Sequence, residues 1–98
     1  MIFALIGRFK QSPPPRDSAL EAEINEQLAQ PNLRLINAGY LRSSQGERIG
    51  VLALIDAATM AQAEAFLEAD PYRRRDAFER VEVAEYDVEV GRLGCPLS

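Results

Sequence analysis

Asp70, Pro71 and Tyr72 stand together in the stretch EADPYRRRDAFERVEV, and Arg73, Arg74 and Arg75 come directly after them. A carboxyl, a phenol and a run of guanidiniums at one junction are groups that hold an organic anion or move a proton. Arg8, Tyr40 and Arg42 fall at the ends of two apolar runs, IFALIGRF and LRLINAGYL. A guanidinium at a strand end can fork onto a ligand carboxylate with paired N–H donors, and a phenol can orient or protonate an oxygen. Asp70 is therefore the candidate catalytic group, and Arg8, Tyr40, Arg42 and Tyr72 are candidate ligand-binding residues.

The missing residue types narrow that chemistry. The chain has 98 residues, no histidine and one cysteine. Zinc and most transition-metal sites then lack their usual ligands. A Ser-His or Cys-His nucleophile pair is equally impossible. No metal or cofactor is expected, and acid–base work falls to Asp, Glu, Tyr, Lys or Arg.

Each candidate also has a purely structural reading. An Asp followed by Pro suits a helix N-cap with proline at the first helical position, worth about 1 kcal/mol with no substrate involved. Strand-end arginines are often solvated charge, and tyrosines often pack with the hydroxyl at a rim. The run Arg73–Arg75 reads as a wet helix face partly paired with Asp76 and Glu79. Glu82, Glu85, Asp87 and Glu89 read as outward charge that guards an edge strand. Glu23 beside Asp70 would raise one carboxyl pKa toward neutrality. Whether the protein is an enzyme or a binding module stays open at this point.

Composition sets the class. Apolar residues make up 47% and charged residues 27%, an ordinary balance for one folded domain of this length. A net charge of −4 argues against a nucleic-acid binder. Cys95 cannot form an internal disulfide, and the opening MIFALIGRFK has no basic n-region and too short an apolar run for a membrane span. A cytoplasmic protein is expected, with no membrane partner.

The elements that must position these groups can be read along the chain. IFALIGRF, from Ile2, is a first strand. The linker KQSPPPRD, with Pro13 to Pro15, ends it. Ser18 and Glu21 have the spacing of a capping box, with Asp17 adding negative charge, and Leu20, Ile24 and Leu28 form the stripe of a first helix. A second strand is expected from about Leu33 to Leu41, then a hairpin at RSSQGE with Gly46 free to take positive φ. RIGVLALI is a third strand. Thr59 and Gln62 repeat the capping spacing ahead of a helix whose stripe is Met60, Ala63 and Leu67. In the fourth strand, VEVAEYDVEV, Val81 and Val83 share one phase while Ala84, Tyr86, Val88 and Val90 take the other. That shift predicts a β-bulge near Ala84 or a change of covered face.

The order is βαββαβ: an α+β, ferredoxin-like fold with a four-stranded antiparallel sheet, two main helices on one face, and a short helix after Asp70. The domain is expected over residues 1–91 with a tail at 92–98. Strands one and three are apolar on both faces, through Ile2, Phe3, Ala4, Leu5 and Ile6 and through Ile49, Val51, Leu52, Ala53, Leu54 and Ile55. A half-wet sheet would alternate. Burying about 800 Å2 of such surface per partner, at roughly 25 cal/mol per Å2, is a large driving force. A homodimer packed sheet to sheet is the simplest cover.

The run FLEADPYRRRDAFERVEVAEYDVEVG resembles the signature of the YciI-like (YCII-related) family, in which a Leu-x-x-Asp-Pro-Phe/Tyr turn precedes a short helix and a Val-Glu-Val strand. Asp70, Pro71 and Tyr72 match the turn, and Phe78, Val81, Glu82 and Val83 match the strand region after it. LINAGYL at Ala38 and Gly39, and IFALIGR, resemble the family's other strands, so the likeness spans Ile2 to Gly91. The resemblance implies a dimeric α+β barrel, close in shape to muconolactone isomerases. It also implies a pocket between helices and sheet that holds a His-Asp pair. In some relatives it implies dehalogenase- or lyase-type steps on aromatic breakdown products. The family histidine would fall in the first helix. Here that helix reads LEAEINEQL, with Glu21 or Glu23 nearest. The expected ligand is a small organic anion of aromatic or lactone type. The alternative is a non-catalytic binding or accessory dimer.

Overall fold

The structure is a computed structural model that describes residues 1–11, 15–30 and 34–91. Cys95 and the expected tail lie outside the described residues, as do Pro13, Pro14 and Leu33. Among the described residues the elements run β1 (Ile2–Phe9), α1 (Ser18–Leu28), β2 (Leu35–Arg42), β3 (Arg48–Asp56), α2 (Met60–Glu68), α3 (Pro71–Arg74) and β4 (Phe78–Glu85). The sheet is antiparallel with strand order β2-β3-β1-β4. This is the expected α+β, ferredoxin-like arrangement, with the short helix in place.

Register decides which side chains meet the helices. Phe3, Leu5, Gly7 and Phe9 of β1 share a face with Ile55, Ala53 and Val51 of β3 and with Val83 and Val81 of β4. Ala63 and Leu67 of α2 pack on this face against Phe3, Leu5 and Ile55. Leu20 of α1 and Tyr72 of α3 close its other end over Phe9 and Phe78. Gly7 is required there, because a Cβ would come within 2.6 Å of the Phe78 ring. The freed space lets Phe78 stack on Phe9, with ring centroids 5.5 Å apart.

Helix starts obey the chemistry of their caps. Asp17, not Ser18, is the N-cap of α1, and its Oδ1 accepts from the Leu20 N–H at 2.9 Å. Either residue suits the position, and the carboxylate one step earlier takes it. Glu21 is thereby released from the capping box and turns to Arg16. Thr59 does cap α2, with the Gln62 amide oxygen accepting from the Ala58 N–H at 2.9 Å. The helix stripes are narrower than expected: Leu20, Ala63 and Leu67 are buried, while Leu28 and Met60 are exposed. Gly46 takes φ 82° in the β2–β3 hairpin, as its position suggested.

The expected irregularity near Ala84 is absent. The β1–β4 register runs unbroken from Arg80 to Glu85 and shifts instead between Arg8 and Phe9. The strand ends because its partner does: the Tyr86 N–H reaches the Ile2 carbonyl, and β1 begins at Ile2. Val88 and Val90 therefore lie beyond the sheet, and their phase carries no pairing information.

Candidate functional site

The short helix α3 begins where α2 has just ended, and Asp70 makes the junction. Its backbone is extended, Pro71 fills the first helical position, and its Oδ1 accepts from the N–H groups of Tyr72 at 2.8 Å and Arg73 at 3.3 Å. Oδ2 has no hydrogen-bond partner among the described residues. Burial pushes the Asp70 carboxyl above its ordinary pKa, against the two N–H bonds that lower it. Desolvation is the larger influence.

The cap also aims Tyr72. Its ring lies edge-on to Phe9, with centroids 5.2 Å apart, and packs beside Phe78. The hydroxyl then emerges 2.7 Å from that of Tyr40, which comes from β2 opposite Val51. Burial, then the bond to Tyr40, raises the Tyr72 phenol well above its usual pKa, so it stays protonated. Arg16 Nη1 donates to the Tyr40 oxygen at 2.7 Å. The Arg48 guanidinium sits 4.6 Å from the centroid of the Tyr40 ring, within cation–π range.

Arg16, Tyr40, Tyr72 and Asp70 stand at the polar end of a cavity of about 290 Å3, with Arg48 behind Tyr40 and outside the lining. Ile24 and Leu28 of α1, Leu35, Val51 and Phe66 of α2 form its apolar walls. Gln27 bridges the two long helices by donating to the Phe66 carbonyl at 3.0 Å. Arg16, Tyr40, Asp70 and Tyr72 supply one cation, two phenols and a carboxyl. The volume is near the lower end of the usual range of about 300–1,000 Å3 for ligand sites. It suits one substituted ring. Among the described residues no group of three or more His, Cys, Asp or Glu side chains is placed to hold a metal.

Three of the residues singled out by sequence, Tyr40, Asp70 and Tyr72, are thus brought together. Two are not. Arg8 points to the opposite face of the sheet, beside Gly50 and Arg80. Arg42 Nη1 donates to the Gly46 carbonyl at 2.7 Å and serves the hairpin. Glu23 does not sit beside Asp70, because Arg75 Nη1 holds it at 2.7 Å across α1 and α3. The arginine run is not paired with its neighbours Asp76 and Glu79 as expected. Arg73 reaches Glu68 at 3.4 Å, and Asp76 pairs with Lys10 at 2.8 Å. Arg16, Arg48 and Gln27 were missed. For Arg48 a signal existed, since pairing the hairpin outward from Gly46 carries β3's first residue to the Tyr40 neighbourhood. Arg16 sits in a proline linker with no periodicity to place it.

The sequence profile of the YCII-related domain matches residues 1–87. The chain belongs to the YCII-related domain family. No curated protein matches it in sequence. Among solved structures, this YCII-related domain is similar to 5-chloro-2-hydroxyhydroquinone dehydrochlorinase (TftG) from Burkholderia phenoliruptrix AC1100, in complex with 2,5-dihydroxybenzoquinone. The TM-score is 0.65 at 14% identity, over 89% of this chain and 94% of that one. It is also similar to Rv0793 from Mycobacterium tuberculosis, with a TM-score of 0.53 at 18% identity, over 93% of this chain and 100% of that one. At such identities the likeness is one of fold. Among the described residues of this YCII-related domain no helix is long and apolar enough to cross a membrane.

Proposed function

We propose that this YCII-related domain binds a small single-ring organic anion, aromatic or lactone-like, in the cavity beside Asp70. The observation that carries the reading is the pairing of apolar walls with a polar end built from Arg16, Tyr40, Tyr72 and Asp70. The ring is buried against Ile24, Leu28 and Phe66, while phenols and guanidinium meet its oxygens. TftG is a dehydrochlorinase seen with a hydroxylated quinone, so a ring of that size is compatible with the fold. Asp70 is the acid–base candidate on the cavity wall. With its carboxyl pKa raised by burial, it is suited to pass a proton to or from a ring carbon or oxygen in a lyase-, isomerase- or dehalogenase-type step.

A second reading has its own observation. Asp70 Oδ1 is engaged by backbone N–H groups, and no side-chain donor orients Oδ2 among the described residues. A helix cap in a pocket without a histidine partner fits a binding module that turns nothing over. In either case a second copy covers the half-exposed sheet face of Ile2, Ala4, Ile6 and Leu52, which lies opposite the helices.

Titration with benzoate and with a five-membered lactone acid, monitored through the amide signals of Tyr72 and Arg73, tests the cavity. Saturable shifts at those amides are expected. Their absence at tens of millimolar ligand rejects the site. Asp70→Asn then separates the two readings: the enzyme reading requires turnover of a ring substrate to vanish while ring binding survives.

A further inference from the structure

Arg16 is held in a way its place in the fold does not require. One edge of its guanidinium, Nε and Nη2, faces the carboxylate of Glu21. Its remaining nitrogen, Nη1, donates to the Tyr40 hydroxyl at the polar end of the cavity. Arg16 lines that cavity. Glu21 is on the first turn of α1 and takes no part in capping, because Asp17 does that work. Its carboxylate thus lies against the guanidinium fork in the way a bound acid would.

We propose that Arg16 is the residue that selects carboxylate-bearing ring ligands, and that Glu21 is an internal stand-in which occupies the Arg16 fork until the ligand's own carboxylate replaces it. The inference rests on the cavity being a ring-anion site. Exchange of one carboxylate for another leaves the charge-assisted bonds nearly balanced. Glu21 is 46% exposed in its side chain and returns to water at little cost, since exposed ion pairs contribute little to stability. The net drive then comes from burying the ring against Ile24, Leu28 and Phe66. Arg16 stays tethered to Tyr40 throughout, so the acid group is delivered next to the Tyr40–Tyr72 hydroxyl pair. The consequence is unusual for a residue near a binding site: removing the Glu21 charge should strengthen binding.

Isothermal titration with benzoate and with neutral benzamide, on the wild type, Glu21→Gln and Arg16→Met, tests this. Glu21→Gln is expected to tighten benzoate by about 2- to 5-fold and to leave benzamide unchanged. Arg16→Met is expected to weaken benzoate by 10-fold or more and benzamide by much less. If Glu21→Gln leaves benzoate unchanged or weakens it, the exchange is overturned, because Glu21 then merely positions Arg16. If wild type binds both probes alike and Arg16→Met alters neither, Arg16 selects nothing, while the cavity reading stands. If wild type binds neither probe, the cavity reading falls and this inference with it.

Discussion

The two faces of the sheet are built from the same strands and have opposite fates. On one, Phe3, Leu5 and Phe9 are almost fully buried beneath α1, α2 and α3. On the other, Ile2, Ala4 and Ile6 keep partial exposure beside Leu52, and the row ends in Arg8 directly opposite Arg80. Like charges placed opposite each other weaken a strand pair. The covered face spends its polar groups on a cavity, where Tyr40 and Tyr72 bond each other and Arg16 joins them. The open face has no such network among the described residues. It offers an apolar strip and a charged border, the makings of a contact with another surface. A fold this small separates its surfaces by strand parity: odd positions of β1 build the core beneath the helices, and even positions line the open face.

The largest effect should come from breaking the covered face. Phe3→Ala removes a side chain that is 1% exposed and central to the α2 cluster. A loss of about 3–5 kcal/mol is expected, from lost transfer energy plus a cavity. Urea denaturation measures it. A cost below about 1 kcal/mol would mean that the face is not packed as described.

The open face should respond differently. Ile6→Lys places a charge opposite Glu82 on β4, so a single chain can accommodate it. In a symmetric pair the change occurs twice. Forfeiting about 1.5–3 kcal/mol of burial per copy weakens association by roughly 100-fold or more. Sedimentation equilibrium should show wild type as a dimer and Ile6→Lys as single chains that melt cooperatively. Equal association of the two proteins would remove the distinction between the faces.

Local rules made much of this readable in advance. Apolar runs of strand formers placed β1 and β3, Gly46 marked the hairpin, and Asp70-Pro71 marked the start of α3, because each signal is complete within a few residues. Tyr40, Asp70 and Tyr72 were chosen by type, and the fold brought them to one cavity. Arg16 escaped because its meaning depends on Tyr40, 24 residues away, across a proline linker. Nothing local to Glu23 signals that Arg75, 52 residues on, pairs with it in place of Asp70. The extra alternation after Ala84 misled for another reason: side-chain phase has structural content only while a partner strand is present, and β1 supplies none past Ile2.

The smallest effect concerns Asp70, which belongs to the covered side yet carries a charge there. Asp70→Ala leaves the N–H groups of Tyr72 and Arg73 without their acceptor and should cost about 1 kcal/mol. Asp70→Asn keeps an acceptor of equal rank as a cap and removes the charge. The two substitutions therefore split the capping role from the cost of burying a carboxylate. Because burial raises the Asp70 pKa in the folded state, the folded protein holds a proton there at a pH where the unfolded chain has released it. Stability from this group thus falls as pH rises from the ordinary carboxyl value through the raised one, and stays lower above it. Asn has no such loss. The stability of Asp70→Asn relative to wild type should climb across that window and level off beyond it, whereas a wild type that gains on Asp70→Asn as pH rises would mean the carboxylate is stabilised rather than desolvated. Denaturation midpoints of both proteins, taken from about pH 3 to about pH 8 so as to span the ordinary carboxyl value and the raised one, give the sign directly.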